Sequence, residues 1–161
     1  IHRARRGIVI AALPVGAAEH DPADQPLDGP SVGPEFRRKV IQQLGLVEHV
    51  RDDVGPYLAE QYATLRDHPL VGDAETCGLM AAILLVKDKT LGTPFPDSVG
   101  IGMVCRGHCF GNGLIMRAVG DRMIIAPPLV ITRAQIDEMM ILIRKCLDLT
   151  LADAQREGWL A

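Results

Sequence analysis

The chain has 161 residues, a length typical of one domain that can bury a useful core. Its 17 Lys and Arg residues are mixed with 20 Asp and Glu residues, which gives a formal net charge of −3. Such a surface offers no basic field to nucleic acid or to an anionic membrane, so we expect neither as a partner. Apolar residues make up 48% of the chain and aromatic residues only 4%, which predicts an aliphatic core.

Residues 1–36 form a separate compositional region, which we predict to be irregular. The stretch 3–18 has a basic start and an apolar continuation, as in a signal peptide, but Pro14 interrupts the apolar run and the run is too short to span a bilayer. The stretch 18–34 carries four prolines among acids and glycines, a composition typical of a connector. We therefore expect a cytoplasmic protein.

Apolar side chains between residues 36 and 65 recur at spacings of three and four, which predicts an amphipathic helical region. Gly45 and the pair Gly55-Pro56 are expected to divide this region into two or three helices. Pro69 is expected to end it.

Three strands are predicted downstream. Residues 78–86 form a continuous apolar run of strand length, suited to the middle of a sheet. Residues 114–119 and 122–126 are also apolar and flank Gly120-Asp121, which predicts an antiparallel hairpin.

Two further helices are predicted in the second half of the chain. Asp97 or Ser98 is a candidate N-cap for a helix that runs to about Phe110. Thr132 to Gln135 fits a capping box, which predicts the start of a last helix. Together these elements predict an α+β fold in which three to four strands are backed by helices, occupying residues 37–161.

The four cysteines are Cys77, Cys105, Cys109 and Cys146. On a helix, Cys105 and Cys109 would share one face with His108, an arrangement that raises the possibility of a metal site. Zinc requires a fourth ligand at comparable spacing, and none is present nearby. We therefore predict no metal site and interpret all four cysteines as reduced thiols of an intracellular protein.

Arg117 stands between Met116 and Ala118 in an otherwise apolar strand. Such an arginine either lies on the solvated face of its strand or meets an anion where the sheet ends. The planar guanidinium suits a carboxylate, because it can donate two parallel charge-assisted hydrogen bonds. Arg117 is therefore the candidate binding residue of the chain.

Six segments follow one another in a diagnostic order between about residues 46 and 151. They are Asp67–Gly72, Gly78–Ile83, Leu85–Lys89, Cys105–Phe110, Gly113–Thr132 and Gln135–Glu138. In this order they resemble the C-terminal small domain of the class III aminotransferases, which depend on pyridoxal 5'-phosphate. Within that family the resemblance is greatest to the branch that uses ω-amino acids or diamines with pyruvate.

The resemblance implies a complete enzyme that transfers an amino group from an ω-amine, diamine or ω-amino acid to pyruvate, and a homo-oligomer. It also implies that Arg117 binds the substrate carboxylate and swings aside for an amine. The family's Schiff-base lysine and phosphate cup belong to a large domain upstream, and no such motif surrounds Lys39, Lys87, Lys89 or Lys145. We therefore predict no catalytic and no cofactor-binding residue in this chain, and no activity for the chain alone.

Two positions depart from the family pattern. Ala74–Gly78 stands where relatives carry a Val-Arg-Gly-x-Gly-like segment, and Leu84 stands where they carry a glutamate. Both differences concern docking against the large domain. The alternative interpretation is a stand-alone module, derived from that domain, that binds a carboxylate or another protein, with an exposed apolar face that favours self-association.

Overall fold

The computed structural model describes residues 33–160. The irregular segment predicted for residues 1–36, with its signal-like start, lies almost entirely outside the described residues. The boundary that separates it from the folded region therefore stays a prediction.

The described chain begins with a string of short helical pieces, as the spacing of apolar residues predicts. They are α1 (Pro34–Gln43), α2 (Leu46–Glu48), a π-helical turn (His49–Val54), α3 (Gly55–Ala63) and a 3₁₀ turn (Thr64–Asp67). The break between α1 and α2 falls at Gly45, whose φ of 60° is a left-handed conformation that favours glycine.

The expected division at Gly55-Pro56 is present as a change of helix type, since the π-helical turn ends at Val54 and α3 begins at Gly55, while the helical path continues across it. Pro56 lies in the first turn of α3, where its missing N–H is tolerated. Gly55 lies against the turn before it, since a Cβ atom at this position would be 2.3 Å from the carbonyl oxygen of Val50. The glycine therefore permits the tight join rather than a break.

Four strands form one antiparallel sheet with the order β1-β2-β4-β3. Their bounds are β1 (Val71–Cys77), β2 (Met80–Leu85), β3 (Arg117–Val119) and β4 (Arg122–Ile125). The α+β prediction is confirmed, although β1 is not among the predicted strands. Its register shifts between Val71 and Asp73, and its buried residues Val71 and Ala74 are three apart, so the alternation that marks a strand is missing.

Two helices complete the fold, α4 (Ile101–Gly111) and α5 (Arg133–Arg156). The helix α4 begins later than the predicted cap at Asp97 or Ser98, and its N-cap is Gly100 in the left-handed conformation. The capping box of α5 is confirmed, because the Gln135 N–H donates to Thr132 Oγ1 while the Thr132 N–H donates to Gln135 Oε1.

The two faces of the sheet differ in character. The inner face buries alternate residues of each strand in the core that the sheet shares with α3, α4 and α5, among them Ala74, Ala81, Ile83, Met123 and Ile125. By strand alternation, the opposite residues form what we call the outer face, which comprises Asp73, Glu75, Cys77, Met80, Ala82, Leu84, Arg117, Val119, Arg122 and Ile124. None of these ten residues is fully buried.

Within residues 33–160, no helix combines the length and the apolar character needed to cross a membrane.

Candidate functional site

Arg117 is the first residue of β3, one of the two edge strands of the described sheet, and it is paired with Ile124 of β4. Its side chain is exposed on the outer face. Within residues 33–160 no salt bridge or side-chain hydrogen bond involves Arg117. The guanidinium of Arg117 is therefore exposed and open to a ligand.

A tight contact with α4 holds the hairpin that carries Arg117. A Cβ atom on Gly102 would be 2.1 Å from the carbonyl oxygen of Gly120 and 3.5 Å from the Cβ atom of Ala118. The backbone of α4 therefore lies directly against the β3–β4 turn. The Leu85 N–H also donates to the Asp121 carbonyl oxygen at 2.9 Å, which fixes the same turn to the end of β2.

Asp121 lies at the tip of the hairpin, as predicted. Burial raises the pKa of its carboxyl, while a hydrogen bond from the Phe95 N–H opposes this rise. Phe95 is itself buried in the core. The carboxylate of Asp121 is thus directed toward the body of the protein and is not part of the outer face.

The strand register places the outer face in two rows. One row runs Glu75, Ala82, Ile124, Arg117, and the other runs Asp73, Leu84, Arg122, Val119. Both rows have an acid on β1 and an arginine on β3 or β4, with apolar side chains between them. The outer face is therefore negative along one edge and positive along the other.

The acidic edge is partly neutralised and the basic edge is not. Arg66 Nη2 lies 3.5 Å from Asp73 Oδ1. Glu75 has no salt bridge among residues 33–160, and the same holds for Arg122. Arg117 and Arg122 are diagonal neighbours on adjacent strands, which concentrates positive charge at this corner.

The described lysines do not fit a pyridoxal phosphate site. Lys39 and Lys145 are exposed on α1 and α5. The Lys89 ammonium donates to the backbone carbonyl oxygens of residues 66 and 68. Lys87 lies beyond the end of β2. No lysine stands on the outer face, so Arg117 has no Schiff-base partner among the described residues.

Cys105, Cys109 and His108 of α4 all lie toward α5, in agreement with the shared face considered from the sequence, but their surroundings differ. Cys105 and Cys109 are buried, and the neighbouring thiols of Cys105 and Cys146 raise the pKa of Cys109. His108 Nε2 instead lies 2.7 Å from Asp153 Oδ2 of α5, and this bond holds the pKa of Asp153 below its ordinary value. No group of three or more potential metal ligands occurs within residues 33–160.

Glu75 and Arg122 join Arg117 on the outer face, although sequence reasoning did not identify either as part of a site. In the sequence, Arg122 is simply the first residue of the second predicted strand of the hairpin. A period-two pattern in β2 would have revealed the face, but Met80, Ala82 and Leu84 on the outer side are as apolar as the residues between them.

No protein-family model matches the chain. Among curated proteins, a putrescine–pyruvate aminotransferase from Pseudomonas aeruginosa is 53% identical over 114 residues. This match covers 71% of the present chain and 25% of the relative. The chain thus spans about a quarter of the length of that protein.

Solved structures give the same result. An ω-transferase from Vibrio fluvialis JS17 superposes with a TM-score of 0.70 at 32% identity, covering 73% of this chain and 28% of that one. A pyridoxal-phosphate-bound aminotransferase mutant from Vibrio fluvialis superposes with a TM-score of 0.68 at 32% identity, covering 71% of this chain and 25% of that one. The region matched in these proteins is C-terminal. Over about 71% of its length, the chain is therefore a homologue of the C-terminal region of the class III aminotransferases.

Proposed function

We propose that the chain is the C-terminal portion of a class III aminotransferase that transfers an amino group from an ω-amine, diamine or ω-amino acid to pyruvate. The 53% identity to a putrescine–pyruvate aminotransferase supports this substrate class. Because the described lysines do not fit the cofactor, the chain alone is catalytically incomplete. We further propose a cytoplasmic location, with no nucleic-acid or membrane partner.

The observation that carries the proposal is the position of Arg117. Its guanidinium is exposed on an edge strand, has no carboxylate partner within residues 33–160, and is flanked by Val119 and Ile124 on the outer face. A keto acid or amino acid carboxylate would accept two hydrogen bonds from it, while the flanking side chains would contact the carbon chain of the substrate. Arg117 is thus proposed as the residue that binds the substrate carboxylate.

The edge position also suits a binding residue that must move. On the far side of β3 no further strand pairs with it in the described sheet. The Arg117 side chain can therefore turn toward solvent without crossing a neighbouring strand. An amine substrate, which has no carboxylate to pair with, would be accommodated by this movement.

The test is a chimera in which residues 46–160 replace the matching C-terminal region of the Pseudomonas putrescine–pyruvate aminotransferase. We expect the chimera to transfer amino groups from putrescine to pyruvate. Replacing Arg117 by Ala should lower kcat/KM for pyruvate about 10- to 100-fold, as expected for the loss of charge-assisted hydrogen bonds. Arg117→Lys should restore only part of this loss, because ammonium cannot form the bidentate pair.

The matched control is Arg106→Lys, on the half-buried side of α4, where the guanidinium stacks 4.6 Å from the Phe110 ring centroid. This change should leave kcat/KM for pyruvate within about twofold of the unchanged chimera. Cofactor absorbance of each chimera reports whether the large domain is folded and loaded. A loaded chimera whose pyruvate kinetics do not respond to Arg117→Ala would contradict the proposed role.

A further inference from the structure

We propose that Arg66 and Asp73 form a side-chain clamp that closes the free edge of β1 against pairing with another strand. β1 stands at one end of the strand order, so within the described sheet one of its edges has no neighbouring strand. Unpaired N–H and C=O groups at such an edge are a template for pairing with a second chain. The inference does not rest on the proposed transaminase chemistry, because it concerns only the backbone of β1 and the two side chains that cover it.

The strand register shows which backbone groups of β1 face its free edge. The Leu85 N–H donates to the Asp121 carbonyl oxygen, so Leu85 and every second residue of β2 direct their backbone groups to β4. The residues between them bond to β1, where their partners include Asp73 and Glu75. Ala74 lies between these two partners, so its N–H and C=O point away from β2 and toward the free edge.

Side chains occupy both of these backbone groups. Asp73 Oδ1 accepts a hydrogen bond from the Ala74 N–H at 2.8 Å. Arg66 Nη2 donates to the Ala74 carbonyl oxygen. A neighbouring antiparallel strand would use the same donor and the same acceptor, because two residues that form a hydrogen-bonded pair exchange both bonds. The two side chains therefore take the place of a strand at this position.

The two halves of the clamp hold each other. Arg66 Nη2 lies 3.5 Å from Asp73 Oδ1, and both side chains are about half exposed. The 3₁₀ turn that carries Arg66 is itself fixed, because the Lys89 ammonium donates to the carbonyl oxygens of residues 66 and 68. The clamp is thus made by one short segment of chain and does not depend on what else lies on this side of the sheet.

Space beside β1 would admit another strand if the clamp were absent. A cavity of about 610 Å³ borders the edge, and its lining includes Ala74 and Thr76 of β1 together with Arg66. On its other side lie Ala59 and Ala63 of α3, whose side chains are small. No strand of the described sheet fills this space. The side chains of the clamp are therefore what keeps another strand from the backbone of Ala74.

The experiment compares the unchanged chain with Asp73→Ala and with the double variant Arg66→Ala/Asp73→Ala. Asp73→Ala should speed amide hydrogen exchange at Ala74 about 3- to 10-fold, as expected for the loss of one hydrogen bond. The strand kept out in a solution of the purified chain is β1 of a second copy. In sedimentation velocity across a concentration series, the double variant should associate at a concentration at least about 10-fold lower than the unchanged chain.

A proline at position 76 shows whether this association uses the free edge. By the same register, the Thr76 N–H points away from β2, so Thr76→Pro removes a donor at the edge without breaking a bond within the sheet. Added to the double variant, it should abolish the additional association. In the unchanged chain it should change nothing, and a loss of association there would overturn the proposal by showing that the edge is already open.

The matched control is Arg144→Ala. Arg144 also donates to a backbone carbonyl oxygen, that of Thr64, and pairs with a carboxylate, that of Asp67, but it does so at a helical turn and not at a sheet edge. This change should leave association as it is in the unchanged chain, and circular dichroism should show that all variants are folded. The proposal would be overturned by a double variant that associates no more than the unchanged chain, or by equal association of Arg144→Ala and the double variant.

Discussion

His68 is buried, with 6% of its surface exposed, between the 3₁₀ turn and β1. Its Nδ1 accepts a hydrogen bond from the Leu70 N–H at 3.2 Å, which requires this nitrogen to be unprotonated. Its Nε2 lies 3.4 Å from the Asp148 carboxylate. Burial lowers the pKa of His68, while Asp148 and Asp67 oppose this and Arg144 adds to it. The fold therefore favours the neutral imidazole.

This geometry gives stability a defined dependence on pH. The pKa of His68 is lower in the folded than in the unfolded chain. Its contribution to the free energy of unfolding is therefore complete above about pH 6.5, the ordinary pKa of histidine in the unfolded chain, and is lost as pH falls toward the pKa in the folded chain. His68→Gln should lower the free energy of unfolding by about 1–3 kcal/mol at pH 8 through the loss of a buried hydrogen-bonding group. The difference in free energy of unfolding between the variant and the unchanged chain, measured by urea unfolding, should become smaller as the pH is lowered from 8 to 5. A difference that is constant over this range would contradict the neutral assignment.

The sequence predicts the surroundings of a single residue well only where its contacts are made by residues nearby in the chain. For Arg117, the apolar neighbours in the sequence leave two alternatives, a solvated face or a contact with an anion, and the structure adds that it lies exposed on an edge strand. The residues next to His68 and His108 in the sequence indicate no acid partner for either imidazole. Asp148 and Asp153 reach these imidazoles from α5, which is distant along the chain.

At the level of elements, the correct predictions rest on short-range chemistry. The capping box at Thr132 and the turn at Gly120 are each specified within four residues, and both are confirmed. The start of α4 and the presence of β1 depend on partners elsewhere in the fold. The helix α4 begins next to Gly102, where its backbone meets the hairpin, and β1 carries a register shift that no sequence period reveals.

A pair of glycines on α4 tests the contact that seats the hairpin. Gly102→Ala would place a Cβ atom 2.1 Å from the Gly120 carbonyl oxygen, so α4 and the hairpin must separate. We expect a loss of about 1–3 kcal/mol in the free energy of unfolding. Gly107→Ala, on the same helix, meets nothing within 4 Å and should be neutral or stabilising by up to about 1 kcal/mol.

Urea denaturation of both variants, at one pH, measures the difference between them. Equal effects of the two substitutions would show that the approach of α4 to the hairpin does not constrain the fold. In the chimera, Gly102→Ala should also raise KM for pyruvate, since it displaces the strand that begins with Arg117.

For the whole molecule, the sequence predicts the α+β class and the homology but not the outer face. Residues 78–86 are apolar on both sides of the strand, so no alternation separates a covered side from an open one. Only the register of β1, β2, β4 and β3 shows that Glu75 and Arg117 end the same row. The chain spans about a quarter of the length of its curated relative.

The most direct test of the account is an absorbance titration of the purified chain with pyridoxal 5'-phosphate, followed by borohydride reduction and intact mass. Because none of Lys39, Lys87, Lys89 and Lys145 fits a Schiff-base site, we expect no stoichiometric adduct at a single lysine. Stoichiometric trapping at one lysine, with displacement by putrescine, would contradict the claim. A lysine of this chain would then belong to the cofactor centre.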